Sequence, residues 1–112
     1  MVSITRIEEG NKEVLRVVGE VDASSSIELD NAMKEALATG SSRILIDCTK
    51  LEYISSAGLG VFMSYLEEIK QKEISLVIFG LQPKVSHVFE ILGLHQLLEI
   101  RETREEAEQY LA

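Results

Sequence analysis

Short apolar runs alternate along this chain with longer stretches of helical spacing. Val2 to Glu8 alternates apolar and polar positions and predicts a first strand. Glu9-Gly10-Asn11-Lys12 reads as a turn, and Glu13 to Gly19, with Val14, Leu15, Val17 and Val18, predicts a second strand. So tight a turn makes the two an antiparallel hairpin. Ser25 with Glu28 three residues on has the capping-box pattern of a helix start. Leu29, Ala32, Met33, Ala36 and Leu37 then recur at helical spacing as far as Gly40. Arg43 to Asp47 predicts a third strand, and its unbroken Ile44-Leu45-Ile46 suits a central strand covered on both faces.

Thr49 to Ser55 reads as a loop, and a second helix starts near Ser56 with Leu59, Phe62, Met63, Leu66 and Ile69 on one face. Ile74 to Phe79 is a fourth apolar strand. Pro83 suits the first turn of a third helix, where its missing N–H is not needed. Val85, Val88, Phe89 and Leu92 form the stripe of that helix, and Gly93 ends it. Leu97 to Ile100 is a short edge strand. Thr103 to Leu111 is a last helix with a second capping-box pattern, Thr103 with Glu106, and with Ala107, Tyr110 and Leu111 inward. Helices following strands three and four imply crossovers into parallel neighbours, whereas the hairpin adds antiparallel pairing. The expected fold is α/β, with a mixed four- to five-stranded sheet packed with about four helices.

Length fits one domain over residues 1–112, and 46% hydrophobic residues supply a core without a disulfide or metal. The single cysteine, Cys48, follows an apolar run and reads as a buried thiol. A net charge of −8 repels nucleic acid and anionic membrane surfaces. No signal peptide or membrane-spanning run is visible, so the expected location is the cytoplasm.

Candidate chemistry is sparse. His87 and His95 have no sequence partner at metal-ligand spacing. Glu20 and Asp22 could do acid–base work, but a pair just before a helix more simply orders the loop or caps it, and a binding role is open to it. Asp47, at a strand end, either lines the same rim or lies apart from it. Gly58-Leu59-Gly60 is too short for a phosphate loop and no lysine follows it. Ser56 does not sit in a nucleophile-elbow motif. No enzyme activity, metal or cofactor is therefore expected. One segment, Tyr53-Ile54-Ser55-Ser56-Ala57-Gly58-Leu59-Gly60, is unusual, with two serines and two glycines across a strand-to-helix junction. Ser55 or Ser56 would be the N-cap. A glycine inside a helix is worth about 1 kcal/mol less than alanine. Two of them require close packing within the chain or close approach of another protein's backbone.

Ser55-Ser56-Ala57-Gly58-Leu59-Gly60 resembles the core motif of anti-sigma factor antagonists, proteins of the STAS fold. The preceding Asp47 to Ile54, the turn Gly19-Glu20-Val21-Asp22, and Phe89-Glu90-Ile91-Leu92-Gly93-Leu94 resemble that family in the same order. The likeness runs along essentially the whole chain. It implies a STAS-like single domain that binds an anti-sigma factor serine kinase and is inactivated when that kinase phosphorylates Ser56. Ser55, where the family often has aspartate, is the alternative acceptor. A serine phosphatase would restore the hydroxyl, and any ATP and magnesium would belong to the partner. The resemblance places Glu20, Asp22, Ser55, Ser56, Ala57, Gly58 and Leu59 at the partner interface. It also leaves open a partner switch whose output is not a sigma factor but secretion, biofilm or other signalling.

Overall fold

In the computed structural model, which describes residues 1–111, five strands form one mixed sheet in the order β1-β2-β3-β4-β5. The elements follow as β1 (Val2–Glu9), β2 (Lys12–Val21), α1 (Ser26–Ala38), β3 (Arg43–Ile54), α2 (Ser56–Ser64), α3 (Leu66–Gln71), β4 (Ser75–Phe79), α4 (Pro83–Ile91), a 3-10 turn (Leu94–Gln96), β5 (Glu99–Arg101) and α5 (Arg104–Leu111). β1 and β2 are antiparallel, and every other neighbouring pair is parallel.

Strand alternation divides the apolar residues between two faces. Leu15, Val17, Ile44, Ile46 and Ile78 meet Leu29 and Met33 of α1, Phe62 of α2 and Phe89 of α4 in the larger core. Val14, Leu45, Val77 and Phe79 meet Ala107 and Leu111 of α5 in the smaller one. The central strands bury both faces, which is why their sequence shows no alternation. α5 is tied to the hairpin by Arg104, which pairs with Glu9 and Glu108, and by Lys12 Nζ, 3.0 Å from Glu108 Oε2. Cys48 is fully buried, and burial, with Asp47 next to it, pushes its thiol pKa far above the ordinary value.

Four local expectations change. The stretch from Thr49 to Ile54 is not a loop. It continues β3, paired with β2 from Val18↔Lys50 to Val21↔Ile54 through register shifts. Those irregularities break the alternation that would have marked it as strand. The predicted second helix is two helices, broken at Tyr65, whose hydroxyl donates to Asp30 Oδ1 at 2.7 Å. Ser64 Oγ donates back to the Val61 carbonyl at 2.7 Å, a local bond that competes with the helical ladder just before the break. Tyr110 is 39% exposed rather than inward, and the Arg101 guanidinium lies 5.0 Å from its ring centre.

The fourth change is at the start of α1, where Ser25 and Glu28 form no capping box. Ser25 is helical in conformation and caps nothing with its side chain. The box lies three residues earlier. Asp22 Oδ1 accepts from Ser25 N–H at 2.9 Å, and Ser25 Oγ accepts from Asp22 N–H at 2.9 Å. The box at Thr103 and Glu106 does form, with Glu106 N–H donating to Thr103 Oγ1 at 3.2 Å and Thr103 N–H to Glu106 Oε1 at 3.3 Å.

Candidate functional site

The C-terminal ends of β2 and β3 form one rim, because Val21 lies opposite Ile54 and Ser55 N–H donates to the Val21 carbonyl at 2.8 Å. That bond holds the Glu20–Asp22 segment beside the serine pair. Ser55 leaves β3 in extended conformation and is the N-cap of α2; its Oγ accepts from Gly58 N–H at 3.2 Å. Its carbonyl accepts from Leu59 N–H at 3.0 Å. Ser55 is half-buried, whereas Ser56, the first helical residue, is exposed, as is Ala57. The cap therefore falls to one serine and leaves the other free at the helix mouth. α2 has no acidic residue in its first turn, so the positive end of its dipole is not offset there.

Gly58 and Leu59, expected at the partner interface, are buried instead. Leu59 is 3% exposed, and a Cβ on Gly58 would lie 2.7 Å from both Ile54 Cγ1 and Val21 Cγ1. Their part in the rim is to seat α2 against the strand ends. Gly60 differs: it is exposed and a Cβ there would meet nothing within 4 Å. The close-packing reason for a helical glycine thus applies to Gly58 alone.

Glu20 is exposed, opposite Tyr53. Asp22 is half-buried, and its Oδ1 also accepts from Ser24 Oγ at 2.8 Å and Ser25 Oγ at 2.9 Å. These donors, Ser24 first, hold its carboxyl at a pKa of about 2 against an ordinary 3.8. Asp22 is thus a fixed negative charge that orders the loop, and a poor proton shuttle near neutral pH. The low value has a testable consequence. Carboxyl NMR should give Asp22 a titration midpoint near 2. A depressed pKa means that the loop is fully stabilised above the unfolded value and loosens as pH falls toward 2. A midpoint near 3.8 would mean that the serine hydrogen bonds do not persist in solution.

Asp47 lies apart from this rim. It is buried near the middle of β3, where its Oδ1 accepts from Thr49 N–H at 3.0 Å and Thr49 Oγ1 at 2.7 Å, and Arg16 Nε lies 3.4 Å from its Oδ2. Two residues on the rim escaped the sequence reading. Ile27, in the first turn of α1, is 62% exposed, and Tyr53 is 50% exposed. Tyr53 was hidden because its strand reads as a loop. Among the described residues no three His, Cys, Asp or Glu side chains cluster to hold a metal ion, and no helix is long and apolar enough to cross a membrane.

A model of the family described as "STAS domain" matches residues 4–107. The anti-sigma-B factor antagonist of Listeria monocytogenes is 34% identical over 85 residues, covering 76% of this chain and 75% of the relative. That of Staphylococcus aureus is 30% identical over 91 residues, covering 81% and 84%. An anti-sigma factor antagonist from Mycobacterium paratuberculosis has a similar structure, with a TM-score of 0.88 over 97% of this chain and 92% of that one at 18% identity.

Proposed function

The chain belongs to the STAS-domain family of anti-sigma factor antagonists, and from this premise we propose that it is a partner-switching protein controlled at Ser56. In the unmodified state it binds an anti-sigma factor serine kinase and so releases the sigma factor which that kinase holds. The kinase transfers the γ-phosphoryl group of ATP to Ser56 Oγ, ADP leaves, and the complex separates. A serine phosphatase hydrolyses the phosphate and resets the switch. ATP and magnesium belong to the kinase, and this chain supplies the acceptor and the docking rim rather than catalytic groups.

The observation that carries this reading is an exposed Ser56 at the first position of α2, with the capping already done by Ser55. A hydroxyl so placed can enter a kinase active site without dismantling the helix start. Ser55 is the weaker acceptor, since the residue is half-buried and its Oγ already accepts from Gly58 N–H. Glu20, Asp22 and Ala57 lie on the same rim and are proposed to contact the kinase. The phosphate adds about −1.5 to −2 charges at neutral pH, to be desolvated in the interface or set against acidic groups there.

The direct test is co-purification from the native host followed by incubation of the recovered kinase with labelled ATP. Label should appear on Ser56, and Ser56→Ala should remove it. Label retained in Ser56→Ala but lost in Ser55→Ala would move the switch to Ser55. A recovered partner set with no kinase would overturn the reading.

A further inference from the structure

β4 ends at Phe79, opposite Asp47, so the later part of β3 is paired with β2 alone. Its other edge is partly covered by the chain entering α4, where Gln82 Nε2 donates to the Thr49 carbonyl at 3.1 Å. Between the end of β3 and the start of α4 lies a groove of about 150 Å³, lined by Glu52, Tyr53, Ile54, Lys84, Val85 and Val88. Its walls are mostly apolar, with one charge of each sign. Ile54, which lines it, immediately precedes the capping Ser55, and Tyr53 is opposite Glu20 in register. The groove thus adjoins the rim that carries Ser56. A tyrosine 50% exposed beside an apolar hollow has the composition of an interface anchor.

We propose that this groove is a second docking element for the kinase. It takes one apolar side chain from the kinase segment that covers Ser56, with Tyr53 packed against that side chain. This inference rests on the partner-switching reading and adds to it the residues that give the kinase its grip before phosphoryl transfer. The charged acceptor and the apolar anchor are then separate parts of one interface. Modification acts at Ser56, while the groove contributes affinity in both states of the serine.

The probe is the purified kinase that labels Ser56, titrated against wild type, Tyr53→Ala and Tyr53→Phe. Tyr53→Ala should bind about 10- to 100-fold more weakly, the loss expected of an anchor. Tyr53→Phe, which keeps the ring, should stay within about threefold. The KM for Ser56 labelling should rise with the alanine variant while kcat holds. Because a weakened fold could imitate lost binding, the wild type supplies an independent readout: methyl signals of Val85 and Val88 should shift or broaden when the kinase is added. Wild-type affinity in Tyr53→Ala, or unmoved valine methyls in a formed complex, would remove the groove while leaving the switch at Ser56 intact. A chain that no kinase labels at Ser56 would overturn both.

Discussion

Ser56→Asp is expected to weaken kinase binding by about 10²- to 10³-fold, a change of about 3–4 kcal/mol, while the thermal midpoint stays within a few degrees of wild type. The two halves of this result have separate causes. Within the fold, position 56 is the first residue of α2. Gly58 N–H is taken by Ser55 Oγ and Leu59 N–H by the Ser55 carbonyl. A carboxylate at 56 sits by the positive end of the helix, where a negative charge is worth about 0.3–1 kcal/mol in favour of folding. Across the interface, the same charge must lose its water or oppose acidic groups of the partner, and that term is larger. Aspartate carries one charge and phosphate nearly two, so the modified serine should bind more weakly still. Ser56→Ala should bind like wild type and never be released by ATP. Titration calorimetry on the three proteins measures the binding change, and thermal denaturation monitors the fold. Undiminished binding by Ser56→Asp would contradict the mechanism.

Gly58→Val should destabilise the folded chain by about 3 kcal/mol, near the upper end for overpacking, and Gly60→Ala should stabilise it by about 0.5–1 kcal/mol. The two glycines are two residues apart in one helix, and propensity alone would rank both substitutions as gains. Packing reverses the first. A Cβ at 58 reaches 2.7 Å from side-chain atoms of both Val21 and Ile54, which form the rim itself. To relieve that contact α2 must lift from the strand ends, disturbing the N-cap at Ser55 and the placement of Ser56. At 60 a Cβ enters open space. Denaturant unfolding measures both, with a change in midpoint at constant slope as the signature of altered stability. Under the partner-switching reading, Gly60→Ala is also expected to bind the kinase more weakly, because the added methyl stands on the exposed side of α2. Equal stabilities of the two variants would mean that α2 does not lie against Val21 and Ile54 as described.

Much of this site is legible in the residues because its signals are local. A serine pair followed by Ala-Gly-Leu-Gly after an apolar strand marks a helix start whatever surrounds it, and the turn Gly19-Glu20-Val21-Asp22 reads as a strand end. Where contacts beyond the motif intervene, the local reading goes astray. Ser25 and Glu28 match the spacing of a capping box as well as Thr103 and Glu106 do. Only the second pair forms it, because Asp22 engages the Ser25 N–H and Oγ that the first pair would need. Glu13, a charged residue at a strand start, would be expected in water, yet it is 2% exposed with Arg6 Nη1 3.5 Å away.

The order of the strands, the mixed sheet, the helix-mouth position of the serine pair and the family were all present in the sequence alone. They depend on side-chain periodicity, turn chemistry and short motifs, which act within a few residues of the chain. Which serine caps and which stands free, which glycine is required for packing, the continuation of β3 to Ile54, and the exposure of Tyr53 beside α4 were decided only by the tertiary structure. Each depends on what a distant segment brings within a few ångströms: Val21 against Gly58, β2 alongside Thr49 to Ile54, α4 beside Tyr53. No local pattern encodes a neighbour that arrives from tens of residues away.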